Sequence, residues 1–285
     1  MIGIQRTLTR IYKATIRNSY RTRLLFENRC SGLRTKPNSL RVMQAEGDGT
    51  LTVQSHNQYD SSGLDSRDLK KDPMETFKQW FKGAIDSGVV DEPESVCLST
   101  VSSDGRVSSR FVLLKRIDDR GFVFFTNYDS RKATELSSNP RASMAIYWSK
   151  LFRQVRINGS TERIESLESL EYFNSRPIGS RIGAWASPQS KPIRDRQQLV
   201  DNLNEVERRF GLELNSSLDG SANDQVTQVE IPLPPNWGGI RLVPDEIEFW
   251  AGRRNRLHDR FVYRRSLNHD GRGNHSEWIL ERLAP

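Results

Sequence analysis

The sequence predicts a mainly β fold, an antiparallel barrel or sandwich with a few flanking helices. Three observations carry that prediction. Short segments of alternating or continuous apolar residues recur from Ser95–Thr100 to Ser276–Leu283. Turn signals separate them, among them Asp104-Gly105 and Asp118–Gly121. Stretches with helical periodicity are few and short, as in barrels and sandwiches rather than in bundles or parallel α/β folds.

The chain has 285 residues, 35% of them hydrophobic, enough to bury a sizeable core in one large domain or two small ones. No apolar run reaches the roughly 18 residues that a membrane-spanning helix needs. Cys30 and Cys97 lie far apart, which is neither a disulfide framework nor metal-ligand spacing, and fits a reducing compartment. The net charge of +7 is unevenly placed. Residues 1–45 hold ten Lys and Arg and one acid, Glu27, so the remaining 33 basic and 35 acidic residues leave the body slightly negative. A general nucleic-acid surface on the body therefore has little support.

The basic stretch 1–45 is Arg-rich, rich in Ser and Thr, and has Ile4, Leu8, Ile11 and Ile16 at loosely helical spacing. It reads as a mitochondrial transit peptide. The same residues also fit a disordered basic tail on a cytoplasmic protein, one that tethers it to nucleic acid or a membrane surface. Residues 46–71 read as a flexible linker, with Gly47, Gly49, Ser61, Ser62 and Gly63 and few large apolar groups. Order is expected from residue 72. Asp72 suits a helix N-cap, Pro73 the first helical position and Glu75 a capping box, and Met74, Phe77, Trp80, Phe81 and Ile85 share one face. This is a docking helix.

Strands follow at Ser95–Thr100, Arg106–Arg116, Gly121–Thr126, Ala142–Trp148 and Phe152–Ile164, and later at Trp237–Val243, Glu246–Trp250, His258–Arg264 and Ser276–Leu283. Three helices interrupt them. Arg131–Ser138 has Ser130 as N-cap, a second runs from Glu165 to Asn174 and stops before Pro177, and a third covers Asp195–Phe210. Residues 212–228 read as a flexible polar insertion.

Two places suggest anion chemistry. Ser130-Arg131-Lys132 opens a helix just after a strand, where free N–H groups, the positive helix end and two cations converge. Phe249–Arg260 sets an aromatic pair, a glycine and four arginines beside His258, between two strands. Guanidinium forks suit phosphates, and a histidine exchanges a proton near neutral pH. The same stretch also fits a solvated basic hairpin. Arg110 and Lys115, five apart on one strand, face opposite sides unless a bulge intervenes. Tyr172, Arg176 and Ser180 are four apart around a helix end that Pro177 breaks. Together these residues point to two phosphate-sized anions. Trp185 and Trp237 read as core or interface, Gly238-Gly239 as a bulge or close backbone approach, and His269 and His275 as solvated turn residues.

Several motifs, in order, resemble the pyridoxamine 5′-phosphate oxidase family. They are Arg110-Phe-Val-Leu-Leu-Lys115, Phe125-Thr-Asn-Tyr-Asp-Ser-Arg-Lys132, Arg153-Gln-Val-Arg156, Tyr172-Phe-Asn-Ser-Arg-Pro177, Ile182-Gly-Ala-Trp185, Trp237-Gly-Gly239, Glu248-Phe-Trp250, Arg256-Leu-His-Asp-Arg260 and Arg282-Leu-Ala-Pro285. The resemblance runs from about Asp72 to the last residue. It implies an FMN-binding split β-barrel, a homodimer with FMN at the subunit interface, and oxidation of pyridoxamine or pyridoxine 5′-phosphate to pyridoxal 5′-phosphate. O2 is the implied acceptor and H2O2 the by-product.

Residue by residue, the resemblance assigns FMN contacts to Arg110, Phe111, Val112, Leu113, Phe125, Thr126, Arg131, Lys132, Gln154, Gln189, Ser190, Trp250 and Arg260. It assigns substrate contacts to Lys115, Tyr172, Arg176, Ser180, Arg256, Leu257 and His258, with Arg256 and His258 at the chemistry. Four scattered histidines without partnering cysteines argue against a zinc site, and the charge and apolar patterns above against nucleic-acid and membrane partners. Two departures stand out. His56 occupies the place, three before Tyr59, where family members often carry an arginine of a segment that closes over substrate, and the 212–228 insertion is longer than usual. Two other readings remain, a flavin-binding barrel without oxidase activity and a pyridoxal-phosphate carrier. A carrier has no need of the FMN set, so a yellow purified protein separates it from the other two.

Overall fold

The computed structural model describes residues 43–45, 51–53, 58–212, 229–265 and 277–285. Most of the basic stretch, the polar insertion from 213 onward, His56, His269 and His275 lie outside the described residues. The chain divides into two units, Met1–Asn57 and Gln58–Pro285. In the first, strands β1 (Met43–Ala45) and β2 (Leu51–Val53) pair antiparallel.

The second unit is a curled antiparallel sheet with flanking helices, the mainly β barrel that the alternation predicts. In chain order it holds α1 (Pro73–Asp86), β3 (Ser95–Val101), β4 (Val107–Leu113), β5 (Arg116–Asp118), β6 (Gly121–Asn127), α2 (Arg131–Ser138), β7 (Arg141–Trp148), β8 (Arg153–Arg163), α3 (Ser166–Ser175), α4 (Ile178–Ala186), α5 (Arg196–Arg209), β9 (Trp237–Ala251), β10 (Asp259–Arg264) and β11 (Ile279–Leu283). The sheet runs β11-β10-β9-β8-β7-β3-β4, with β6 joined to β9 and β5 to β6.

Strand β9 corrects the sequence reading. Its 15 residues were expected as two strands broken at Pro244-Asp245. Instead the strand is continuous. Its first half pairs with β6, its second with β10, and β8 runs along its other side. Pro244 and Asp245 form a bulge opposite Asn158 and Gly159, where a strand tolerates a missing N–H. Gly159 permits the close approach, since a Cβ there would lie 2.1 Å from the Val243 carbonyl oxygen.

The docking helix forms as expected, and Asp72 accepts from the Met74 N–H to cap it. Phe77 packs edge-on to Phe122 at 4.8 Å between ring centroids, and Trp80 to Phe249 at 5.1 Å. A second, smaller core joins Phe173, Ile178, Ile182, Val206 and Trp237 beneath α3, α4 and α5. Helix α4 is absent from the sequence reading, which takes Pro177 only as a stop. Proline's fixed φ also suits a helix start, and Ser180 and Arg181 donate to its carbonyl.

Residues 58–71, expected as part of a flexible linker, are instead docked on the barrel. Leu64 is buried, and its N–H donates to the buried Asp259 carboxylate at 3.0 Å. The Tyr263 hydroxyl donates to the Lys70 carbonyl at 2.6 Å, and Ser61 donates to that of Gly252. Gly63 has a φ of 78°, and a Cβ there would meet Arg253 Nε at 2.3 Å. The segment is held by hydrogen bonds between side chains and backbone, by Leu64 and by Tyr59 packed on Phe152, Trp250 and His258, contacts that composition does not register.

Candidate active site

A cleft of about 450 Å³ opens between β4, β6 and the α3–α4 corner. Edge strand β4 supplies its first wall. Val107, Ser109, Phe111 and Leu113 are exposed along one face, while Ser108, Arg110 and Val112 on the other are partly covered. Arg110 turns inward to the Leu98 carbonyl, the Thr100 and Ser108 hydroxyls and the Glu135 carboxylate. The chain then leaves β4. Leu114 N–H still donates to Glu94, but Lys115 N–H donates to Val123 of β6. This change of partner brings Lys115 into the same cleft as Arg110, so the opposite-face expectation for an unbroken strand does not hold. Lys115 pairs with Glu94 at 3.6 Å.

Strand β6 supplies Phe125 and Thr126. Phe125 stacks on Tyr172 at 3.8 Å and lies 5.5 Å from Trp237. Trp237 is therefore both core and cleft wall. The Arg176 guanidinium sits 4.8 Å over its ring. Arg176 Nη1 is buried without a hydrogen-bond partner among the described residues. A buried guanidinium N–H in that condition calls for an acceptor.

The start of α2 supplies the other cations. Lys132 is buried and donates to Gln189 Oε1 at 2.9 Å, to Thr126 Oγ1 at 3.1 Å and to Ser130 Oγ at 3.4 Å. Ser130 thus holds the N-cap position without a side-chain cap bond. Burial, and then the Arg110 charge, push the Lys132 ammonium down to about 8. Arg131 does not line the cleft but is tied beside it, its Nε donating to Glu135 at 2.8 Å. Burial raises the Glu135 carboxyl, yet bonds from Ser108, Thr100, Arg131 and Arg110 prevail and hold it at about 2.

The remaining predicted residues do not line this cleft. Gln154, Trp250 and Arg260 stand opposite one another in a row across β8, β9 and β10. Arg260 donates to Glu248 at 2.7 Å. Arg256, Leu257 and His258 sit on the β9–β10 connection, where Asn255 and Arg256 are left-handed, with φ of 57° and 62°. The extended spacing expected to align Arg256 with His258 is therefore replaced by a tight turn. His258 Nδ1 accepts from the Arg253 N–H, which leaves Nε2 as the protonated nitrogen of the neutral ring. Its pKa is lowered by burial and then by Arg256. Its ring lies 4.7 Å from Trp250 and 5.2 Å from Tyr59. Ser180 and Ser190 are both exposed and outside the cleft, and Ser190 has a left-handed φ of 68°. Glu135 and Glu94 were not singled out in the sequence. The i,i+4 spacing of Arg131 and Glu135 was the available signal for the first.

Residues 84–210 match the family model described as pyridoxamine 5′-phosphate oxidase, and residues 237–285 match the pyridoxine 5′-phosphate oxidase C-terminal dimerisation region. The chain is 45% identical over 236 residues to a pyridoxine/pyridoxamine 5′-phosphate oxidase from Paraburkholderia phytofirmans, covering 83% of this chain and 100% of that one. Among solved structures it is similar to PhzG from Burkholderia lata in complex with tetrahydrophenazine-1-carboxylic acid. The TM-score is 0.66 and the identity 32%, over 80% of this chain and 100% of that one. A pyridoxamine 5′-phosphate oxidase-related, FMN binding protein from Nostoc punctiforme shares the fold at a TM-score of 0.54 and 18% identity, over 76% of this chain and 100% of that one.

Proposed function

The chain belongs to the pyridoxamine 5′-phosphate oxidase family, and from that premise we propose that it oxidises pyridoxamine and pyridoxine 5′-phosphates to pyridoxal 5′-phosphate. O2 is the acceptor and H2O2 the by-product; the amine substrate also takes up water and releases ammonia. One observation carries the reading. A single cleft is lined by two sets of cations, Arg110 with Lys132 and Lys115 with Arg176, as a flavin phosphate and a substrate phosphate require.

FMN is the cofactor, and the residues fit it. The buried Lys132 with its depressed pKa and Arg176 Nη1, which has no hydrogen-bond partner among the described residues, both favour added anions. Arg110, Thr126, Arg131, Lys132 and Gln189 would hold the flavin, the cations at its phosphate. FMN held there would supply the redox chemistry, two-electron oxidation of the substrate carbon with O2 as the final acceptor. Lys115, Arg176 and the Tyr172 hydroxyl hold the substrate phosphate, and so set the position of the reacting carbon. The Arg256 guanidinium stabilises charge developing near the ring, while His258 hydrogen-bonds the substrate through its protonated nitrogen.

We also read the protein as a homodimer. The row Gln154–Trp250–Arg260 and the Arg256–His258 turn lie outside the cleft of their own chain, and a second copy would bring them to it. The match of residues 237–285 to a dimerisation region supports this. So do Phe111 and Val107, which are 73% and 68% exposed beside the cleft. The basic leader supports import into mitochondria.

The test is spectroscopic and then kinetic. The purified protein should show flavin absorption and release peroxide when given pyridoxamine 5′-phosphate. Tetrahydrophenazine-1-carboxylic acid should react poorly, because it offers no phosphate to Lys115 and Arg176. A yellow protein that releases no peroxide with either compound is a barrel without oxidase activity. A colourless protein that binds pyridoxal phosphate is a carrier.

A further inference from the structure

Glu135 lies beneath the cations of the cleft with its side chain 5% exposed. Its two oxygens collect four donors from three elements. Oε2 accepts from Thr100 of β3, from Ser108 of β4 at 2.6 Å and from Arg110 Nη2 at 3.3 Å, and Oε1 accepts from Arg131 Nε at 2.8 Å. Two of the four donors are cations assigned to the flavin, whereas Glu135 itself has no assigned part. Arg131 is 61% exposed, and Glu135 is the one acidic side chain recorded against it among the described residues. Without that bond its long side chain would be free to rotate, and ordering it on binding would cost affinity.

The charges point the same way. Arg110, Arg131 and Lys132 bring three positive charges and Glu135 one negative, a net of two beside the cleft. A flavin phosphate carries close to two negative charges at neutral pH. Removing the carboxylate would leave three cations repelling one another and two guanidinium forks without their shared anchor.

We propose that Glu135 is a positioning residue for the flavin phosphate. Its carboxylate fixes the Arg110 and Arg131 forks and trims the site to the charge of a phosphate dianion. This rests on the flavin reading above. A purely structural role, in which Glu135 only ties α2 to β3 and β4, makes a different prediction. It would affect every flavin equally, whereas a positioning role acts on the phosphate alone.

Riboflavin, which lacks the phosphate, separates the two. Full-length protein stripped of flavin is titrated with FMN and with riboflavin by fluorescence quenching. Glu135→Gln keeps the volume and one acceptor oxygen. It should weaken FMN binding by about tenfold or more, in line with the loss of a charge-assisted bond, and leave riboflavin within about twofold. Glu135→Asp keeps the charge and should recover part of the FMN affinity. In an Arg131→Met background Glu135→Gln should cost markedly less, because one of its two targets is gone. Equal losses for FMN and riboflavin, or FMN binding unchanged in Glu135→Gln, would overturn the proposal alone. A wild-type protein that takes up no FMN would overturn the flavin reading and this inference with it.

Discussion

Arg256 occupies a left-handed turn that favours glycine or asparagine over arginine. A side chain kept there against local preference points to function more than to folding. Arg256→Ala should lower kcat/KM by about two orders of magnitude, the usual scale for a charged transition-state contact. FMN should stay bound, since its phosphate is assigned to Arg131 and Lys132. His258→Asn should cost about tenfold, within the range of acid–base assistance or below it. Arg131→Ala should lose flavin first and activity in consequence. Steady-state kinetics on protein of measured flavin content checks all three, and an Arg256→Ala protein that sheds FMN yet turns over normally when reloaded would reverse the assignment. Lys132 gives a pH test. Its pKa of about 8 lies below the ordinary 10.5, and a bound phosphate favours the protonated form. FMN affinity should thus be level below about pH 8 and fall above it, by up to about tenfold per unit. The stability of the flavin-free protein moves in the opposite direction. Between about 8 and 10.5 the unfolded chain holds the proton that the folded one has released, so stability rises with pH across that window. Fluorescence titrations across this range decide the matter, and a flat affinity would remove Lys132 from the phosphate site.

At the level of elements, legibility followed the range of the interactions. The β3–β4 hairpin could be read because Asp104-Gly105 and period-two alternation are local. The single strand β9 could not, because Pro244 reads as a breaker until β8 is seen running past it on the other side. Helix α4 was hidden behind Pro177, whose local signal serves a stop and a start equally. In the cleft, Arg110 stands out as a charge on an otherwise apolar strand and Lys132 as a cation at a helix start. Glu135 did not, because Thr100 and Ser108 reach it from 35 and 27 residues away. The docked segment 58–71 left the faintest trace and yields the clearest test. A chain beginning at Asp72 loses the Leu64 amide that bonds the buried Asp259, and with it the packing of Tyr59 on His258. It should unfold at a lower temperature than a chain beginning at Gly47, by an amount matching about 2–4 kcal/mol for one buried apolar side chain and one bond to a charged group. Equal melting temperatures for the two chains would mean that the segment contributes nothing to the barrel.

The whole molecule is organised by two divisions that the sequence and the structure reveal separately. The first is of charge: the strongly basic stretch 1–45 precedes a slightly acidic body. Removing residues 1–46 should therefore leave folding and oxidase activity intact, and a full-length fluorescent fusion should enter mitochondria. A fusion that stays wholly cytosolic would defeat that reading of the leader. The second division is of the site itself. Lys115, Tyr172 and Arg176 line the cleft, while Trp250 and the Arg256–His258 turn do not. If a second copy supplies those residues, two inactive variants with lesions in opposite halves should complement each other. Lys115→Ala and Arg256→Ala protomers, mixed under dissociating conditions and reassociated, would form heterodimers in which one site carries both lesions and the other neither. Random pairing makes half of the dimers mixed, and each mixed dimer has one intact site of two, so about a quarter of wild-type activity should return. Each homodimer alone should stay near its own low level. A mixture no more active than its two components, although sedimentation shows dimers, would place the whole site within one chain.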